Sequence, residues 1–232
     1  DWGTSLLIKI LYVKDKGVVM DINLPAIELF GDESVISLNE KGKRMAESGE
    51  MSKAEESFLK AIESDHAYPP SYQNLGIIQA AQSKTQEAVQ SFEKLIELEP
   101  DKAGHYANLG IVHFLDDSFA DSEACMRKAL ELDKECPDAL FNLGKLLFNL
   151  ERTDEALLKI EHFLQIDPSN TEAMTVLGMC YQKNNNEEMA ISIWEKALEI
   201  DPDLKEVRAR LDEISGLTDL GKRLMKISEP SG

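Results

Sequence analysis

Four segments of the sequence are alike and follow one another at a constant spacing: AVQSFEKLIELEPD at 88–101, SEACMRKALELDKE at 122–135, ALLKIEHFLQIDPS at 156–169 and AISIWEKALEIDPD at 190–203. A Leu-Gly pair keeps the same step of 34 residues, at Leu75-Gly76, Leu109-Gly110, Leu143-Gly144 and Leu177-Gly178. The prolines at positions 100, 168 and 202 are separated by multiples of that step. A fixed period of this length predicts an array of stacked structural units.

The period and the residue types resemble the tetratricopeptide repeat, a helix–turn–helix unit of 34 residues. The resemblance implies an all-α fold, a right-handed superhelical solenoid of antiparallel helix pairs with N- and C-terminal capping helices. On that frame, five repeats span 35–68, 69–102, 103–136, 137–170 and 171–204. The last of them matches the pattern best. The first is looser, because Lys41 replaces the usual Leu and His66 replaces the usual Pro.

The two ends of the chain depart from the repeat. Residues 205–232 are predicted to form a C-terminal capping helix and a tail, because Val207, Leu211 and Ile214 recur at helical spacing. Residues 1–34 have the length of one repeat, but Ile8 stands where the glycine belongs and Pro25 falls inside the second helix. This N-terminal segment is therefore a degenerate helical repeat that caps the array, or a docking arm.

The docking-arm interpretation depends on an apolar stretch near the start of the chain. It assigns self-assembly to Leu6, Leu7, Ile10 and Leu11, which would enter the groove of a neighbouring copy as a helix. The capping interpretation packs the same side chains on the first repeat. The residues alone leave both open.

The composition excludes several classes of partner. Hydrophobic residues make up 43% of the 232 residues and charged residues 29%, as in a soluble folded protein. A net charge of −18 argues against nucleic acid and anionic lipid as partners. Three cysteines without paired spacing suit a reducing compartment. The first five residues lack a basic start and the apolar run at 6–13 is too short to span a bilayer, so we expect a cytoplasmic protein.

In the tetratricopeptide family, the first helix of each repeat lines a concave face that binds extended or helical peptides. The resemblance therefore implies a peptide-binding groove formed by Asn74, Ile77, Asn108, Ile111, Phe114, Phe141, Asn142, Lys145, Phe148 and Met179. Its three asparagines recur one repeat apart, and amides at that pitch can bond a peptide backbone. The alternative is that Asn is simply common there in the family. The apolar members predict an exposed strip for a partner, unless local packing buries several of them.

Two kinds of activity find no support in the sequence. Family members that grip the C-terminal carboxylates of chaperones carry lysines at one groove position, where this chain has Asn39, Gln73, Ala107, Phe141 and Thr175. The four histidines are scattered, without the spacing of a metal site, and no glycine loop is placed to cradle a phosphate. The sequence thus predicts no catalytic residue, no metal site, no cofactor and no enzyme activity.

A longer stretch at 15–58, DKGVVMDINLPAIELFGDESVISLNEKGKRMAESGEMSKAEESF, is similar to the N-terminal region of tetratricopeptide proteins on the cytosolic face of magnetosome membranes. The shared features are Gly17 with Met20, the Lys41-Gly42 pair and the repeat count. The resemblance implies a homo-oligomeric coat, attached to the organelle only indirectly through membrane proteins. The acidic charge agrees with attachment through protein.

Two functions follow from these observations. The first is a scaffold that self-assembles and recruits partner proteins through its concave groove, in the manner of a magnetosome-associated coat. The alternative is a monomeric adaptor that captures short peptides, with residues 1–34 serving as a cap.

Overall fold

The structure is a computed structural model that describes residues 34–214 and 216. Predictions for residues 1–33, including the docking-arm residues Leu6, Leu7, Ile10 and Leu11, and for the tail at 217–232 lie outside the described residues. The repeats within the described residues form ten helices, α1 (Val35–Glu47), α2 (Met51–Ser64), α3 (Pro69–Ala81), α4 (Thr85–Leu98), α5 (Ala103–Leu115), α6 (Phe119–Leu132), α7 (Pro137–Asn149), α8 (Thr153–Ile166), α9 (Thr171–Lys183) and α10 (Glu187–Ile200). Residues 205–214 are also helical.

The helix boundaries follow from local sequence signals. The Ser34 hydroxyl accepts a hydrogen bond from the Ser37 N–H at 3.2 Å and so caps the start of α1. Asn170 caps α9 in the same way, with its side-chain oxygen 2.9 Å from the Ala173 nitrogen. Pro69 occupies the first turn of α3, where its missing N–H costs nothing. All the helices within 34–214 are too short or too polar to cross a membrane.

A residue with positive φ ends the first helix of every pair. These residues are Gly49 (80°), Ser83 (63°), Asp117 (57°), Glu151 (62°) and Asn185 (58°), one every 34 positions. The left-handed residue turns the chain so that the following N–H groups reach back to the last carbonyls of the helix. In the second pair, for example, the Lys84 N–H donates to the Gln79 carbonyl at 2.9 Å. Only glycine adopts this conformation without strain, and Asn and Asp tolerate it best among the others.

The chain divides into two compact units, Asp1–Ala139 and Leu140–Gly232. In the described part of the first unit, α1 packs against α2, α3 against α4, and α5 against α6. Successive pairs are joined because α2 packs on α3 and α4 on α5. Phe58 of α2 clusters with Leu75 and Ile78 of α3, and Phe92 of α4 clusters with Leu109 and Val112 of α5. An aromatic side chain therefore fills the space between one helix pair and the next.

The second unit repeats this arrangement with a different aromatic residue. Helix α9 packs against both α8 and α10. Trp194 of α10 is fully buried in a cluster with Val207 and Ile214 of the helical segment 205–214. Its indole Nε1 donates a hydrogen bond to the Thr175 carbonyl at 3.1 Å. The all-α repeat fold predicted from the sequence is confirmed, and within the described residues no strand is present.

Each helix pair is held close by a glycine that faces a bulky side chain. A β-carbon on Gly76 would lie 2.8 Å from Phe92 Cε2, and one on Gly144 would lie 2.5 Å from Ile160 Cδ1, whereas real β-carbons essentially never come within 3.0 Å of such atoms. Both facing side chains are fully buried and cannot swing into solvent. The Leu-Gly pairs of the sequence thus mark the points where the two helices of a pair touch.

Gly76→Ala should lower the free energy of unfolding by about 1–3 kcal/mol, because the added methyl group must displace the Phe92 ring. Gly104→Ala is the matched control, since a β-carbon on Gly104 of α5 meets no atom within 4 Å. Alanine should instead stabilise that helix by up to about 1 kcal/mol. Urea unfolding followed by far-ultraviolet circular dichroism compares the two. Equal urea midpoints for the two variants would contradict the close contact between Gly76 and Phe92.

Gly49→Ala should also destabilise the chain, by about 1 kcal/mol, for a different reason. A β-carbon there meets no atom within 4 Å, so the loss would come from the φ of +80° alone. Gly49→Asn should lower the free energy of unfolding by less, because Asn185 already occupies the equivalent turn at a φ of 58°. The same urea experiment ranks the two variants. An alanine variant more stable than the asparagine variant would refute a backbone origin.

Candidate functional site

The candidate site of the first unit begins with a pair of buried amides. Asn39 of α1 and Asn74 of α3 are both buried, and the Asn74 Nδ2 donates a hydrogen bond to Asn39 Oδ1 at 3.0 Å. The pair connects the first helices of two consecutive repeats. Because the bond is internal, this part of the Asn74 side chain stabilises the stacking of repeats rather than facing a ligand.

Asn108 of α5, one repeat further on, has a different environment. Its side chain is 1% exposed, yet among the described residues its Oδ1 has no hydrogen-bond donor. A buried acceptor without a donor costs roughly 1–3 kcal/mol of stability. A group of this kind in a folded protein is usually satisfied by an ordered water molecule or by another group outside the described residues.

Asn108 lies in the wall of a cavity of about 350 Å³. The other lining residues come from α3, from the turns that precede α5 and α7, and from the first turns of those two helices. They are Gln73, Asp101, Lys102, Ala103, Gly104, His105, Asp133, Cys136 and Asp138. The cavity lies entirely within the first unit and is a size that suits a side chain or a small ligand.

A change of one residue distinguishes the turn beside this cavity. The turns after α2, α6, α8 and α10 each carry an aspartate whose Oδ1 accepts a hydrogen bond from the N–H two residues later. In the turn after α6, for example, the Glu135 N–H donates to Asp133 Oδ1 at 3.0 Å. The turn after α4 has Glu99 at that position, and its carboxylate lies 2.8 Å from His105 Nε2. The longer side chain thus reaches across to α5 and fixes His105 in the cavity wall.

The cavity wall is acidic. It contains three aspartates, at positions 101, 133 and 138, against Lys102, while His105 is bonded to Glu99. Asp138 is in the first turn of α7 and is only partly exposed. Burial raises the pKa of its carboxyl above the ordinary value, which means that its charge is poorly solvated.

Two predicted groove residues belong to the core instead. Ile77 is 0% exposed and packs in the cluster of Tyr72 and Phe92, and Ile111 is 4% exposed. The prediction of an exposed apolar strip is wrong for both, because these side chains fill the space between packed helices. Local packing, the alternative considered from the sequence, accounts for them.

Phe114 of α5 is only partly buried, but it too has an internal contact. Its ring centroid lies 5.8 Å from that of Phe119 at an angle of 50°. Phe119 begins α6, so the pair closes the turn between the two helices of one repeat. Phe114 keeps some exposed surface at the end of α5.

The second unit carries the remaining predicted groove residues on α7 and α9. Phe141 is buried and its ring centroid lies 5.0 Å from that of Phe163. The Lys145 Nζ lies 5.1 Å from the centre of the Phe141 ring and 2.7 Å from a carboxylate oxygen of Glu172. Lys145 therefore joins α7 to the first turn of α9, through contacts that are partly exposed to solvent and individually weak.

A second basic residue bridges the same two helices. The Lys183 Nζ lies 5.4 Å from the centre of the Phe148 ring and 3.1 Å from Glu151. Phe148 and Asn142 are half-buried, and Met179 packs against the cluster around Trp194. The predicted residues of this unit thus form a polar and aromatic surface rather than an apolar strip.

Several cavity residues were not among the predicted groove residues. Gln73 and Asp138 do occupy groove positions of the repeat frame, but their polarity gave no reason to prefer them. Asp101 lies in a turn that the repeat pattern does not assign to the groove. The sequence does contain one sign of the cavity. Equivalent turns carry an aspartate at 65, 133, 167 and 201, and Glu99 replaces it in the turn beside the cavity.

The thiols of the chain are poorly suited to nucleophilic chemistry. Burial, with the charges of Asp121 and Glu93, raises the pKa of Cys125 to about 11, and burial raises the pKa of Cys180 to about 11. Burial also raises the pKa of Cys136. Since the thiolate is the reactive form, these thiols stay protonated near neutral pH. Within 34–214, no group of three His, Cys, Asp or Glu residues is arranged to hold a metal ion.

Iodoacetamide at pH 8 should therefore alkylate Cys125 and Cys180 slowly in the folded protein. A pKa two units above the ordinary value lowers the thiolate fraction by about a hundredfold. The same protein unfolded in urea is the control, and mass spectrometry of the digested chain reports each cysteine. Equal rates for folded and unfolded Cys125 would indicate an activated thiol and contradict the raised pKa.

Comparisons with protein families agree with the architecture. Two models described as tetratricopeptide repeat match the sequence, one over residues 116–171 and the other over residues 69–102 and 171–204. The comparison with curated protein sequences found no match.

Several solved structures have a similar fold. A crystal structure of MamA matches with a TM-score of 0.62 at 22% identity, covering 69% of this chain and 94% of that chain. MamA from residue 41 to its end, from Desulfovibrio magneticus RS-1, matches with a TM-score of 0.65 at 16% identity, covering 75% and 98%. YrrB, described as a TPR protein with an unusual peptide-binding site, matches with a TM-score of 0.61 at 21% identity, covering 89% and 97%. Identities this low establish a shared fold.

Proposed function

This chain belongs to the tetratricopeptide repeat family, and we propose that it is a protein–protein interaction scaffold that recruits partner polypeptides through the first helices of its repeats. The observation that carries the proposal is the cavity beside α3 and α5, where Asn108 is buried without a hydrogen-bond donor among the described residues. Repeats of this kind are generally interaction modules rather than enzymes.

The finer proposal is that copies of the chain associate with one another through residues 1–34. Its support is the apolar character of Leu6, Leu7, Ile10 and Leu11, together with the similarity of residues 15–58 to magnetosome-associated repeat proteins. Several structures that share the fold are of MamA. We extend the proposal to a homo-oligomeric, cytoplasmic coat on the surface of a magnetosome membrane.

Attachment of this coat to the membrane would be indirect. A net charge of −18 opposes direct binding to a lipid surface that carries negative headgroups. Membrane proteins that display basic segments are more suitable partners, because opposite charges favour their approach. The same charge opposes binding to nucleic acid.

A monomeric adaptor is the second candidate function. The cavity favours it, because a site for one side chain of a captured peptide needs no second copy of the chain. YrrB, which has a similar fold, is described as having a peptide-binding site. In this alternative, residues 1–34 would only cap the first repeat.

Light scattering coupled to size exclusion separates the two candidates. The full chain should give a mass that rises with concentration above its monomer mass of 26.0 kDa, whereas a chain of residues 35–232 should stay monomeric. The physical reason is that deletion removes the apolar stretch that would bind a neighbouring copy.

A full-length variant with Leu6, Leu7, Ile10 and Leu11 changed to Ser is the matched control, because it keeps the length of the chain. This variant should stay monomeric, as the truncated chain does. Monomeric mass for the full chain at every concentration would reject self-assembly and leave the adaptor. Assembly of the truncated chain would place the interface within residues 35–232.

A further inference from the structure

The outer face of α10 carries an apolar stripe formed by Met189, Ile193 and Ile200. Met189 is 40% exposed and Ile200 is 49% exposed, and the half-buried Ile193 lies between them at helical spacing, so the three share one face. The position of Ile193 holds serine, cysteine or lysine in the other second helices. The position of Met189 is always charged in those helices, where it is Lys53, Glu87, Asp121 and Glu155. The last repeat therefore presents apolar side chains where the others are polar.

This stripe is separate from the packed face of α10. Ala190, Trp194 and Ala197 are fully buried on that packed face. Within residues 34–214, the hydrophobic cluster around Trp194 includes neither Met189 nor Ile200. Single exposed apolar residues are ordinary, but several on one helix face are typical of a surface that another segment covers.

A row of carboxylates runs beside the stripe. Glu188, Glu195 and Glu199 are exposed and follow one another at helical spacing, and within residues 34–214 none of them forms an ion pair. Lys196 is the single basic residue of α10. A segment that covers this face would therefore need apolar side chains together with basic ones.

Residues 217–228, LTDLGKRLMKIS, have both properties, and we call them the basic segment. They lie outside the described residues, but their sequence shows apolar side chains at helical spacing, Leu217, Leu220, Leu224 and Ile227. Three basic residues, at 222, 223 and 226, stand against Asp219 alone. In a chain of net charge −18, this excess of positive charge is complementary to the carboxylate row.

The basic segment also starts in a suitable place and has a suitable length. The helical segment 205–214 follows α10 after a short connection, and such a connection makes two helices antiparallel neighbours. Its Val207 and Ile214 pack with Ala190 and Trp194, so the chain returns along α10 before the basic segment begins. At about 1.5 Å per residue, a helix of residues 217–228 would be about 18 Å long, and Met189 and Ile200 lie about 16 Å apart along α10.

We propose that the basic segment docks on the outer face of α10 in the same chain, with its apolar residues on the stripe and its basic residues beside the carboxylate row. This contact covers the stripe, so that a second copy of the chain does not meet it. The proposal goes beyond the recruitment function and does not depend on it, because α10 contributes no residue to the cavity.

Hydrogen–deuterium exchange of the full chain, read by mass spectrometry, tests the docking. Amides of the basic segment should exchange at least about tenfold more slowly than those of a synthetic peptide of residues 217–228. Ile200→Glu should raise their rates to those of the peptide, because it places a carboxylate on the stripe. Leu158→Glu is the matched control, since Leu158 is 63% exposed on α8 of the same unit and should leave the rates unchanged. Exchange as fast as in the peptide, or rates that Ile200→Glu does not change, would overturn the proposal.

Charge reversal tests the carboxylate row separately. Arg223→Glu combined with Lys226→Glu should remove the protection of the basic segment, because like charges would then face each other. Adding Glu195→Lys and Glu199→Lys to that variant should restore it. All four side chains are exposed or outside the packed core, and far-ultraviolet circular dichroism verifies that each variant is folded. A folded variant that is not rescued would reject the charge complementarity on which the proposal rests.

Protein concentration distinguishes docking within one chain from docking on a second copy. Protection within one chain should be the same at all concentrations, because the segment and α10 are covalently joined. Protection that appears only as the concentration rises would place the basic segment on another copy and overturn the proposal.

Discussion

The close contact between the two helices of each repeat is the constraint on which the rest of the structure depends. A glycine on the first helix lets a bulky side chain of the second lie directly against its backbone, as Phe92 does at Gly76. Because that side chain is anchored on one face, its other surface packs on the next helix pair, as Phe92 does on Leu109 and Val112. The same side chain thus makes both the contact within a helix pair and the contact between neighbouring pairs.

Period and residue type were sufficient to predict the helices, because both arise from contacts that recur in every repeat. The candidate cavity was less predictable, because it depends on the distance between the helices that line it, which does not recur in every repeat. Ile77 and Ile111 occupy groove positions in the repeat frame, yet packing buries them. The positive φ of Glu151 could not be expected from its residue type, although its spacing from Gly49 indicates it.

The two units use their first helices differently. In the first unit, the amides of Asn39 and Asn74 form a buried polar contact between repeats, and the acidic cavity follows one repeat later. In the second unit, Lys145 bridges an aromatic ring on its own helix and a carboxylate on the next first helix. Exposed bridges of this kind contribute little to stability, so their main effect is on the charge and shape of the exposed surface. The first helices of the two units thus carry chemically different side chains.

Glu99 shows how such differences can arise. Its counterparts in the other turns are aspartates that close on their own backbone, while the extra methylene of Glu99 carries the carboxylate to His105 on the following helix. The helices on either side keep the same lengths as those elsewhere in the chain. A repeat array of this kind therefore accommodates a substitution in one turn without a change in the adjacent helices. One methylene group changes the bonding partner of the carboxylate in one turn, while the flanking helices keep their lengths.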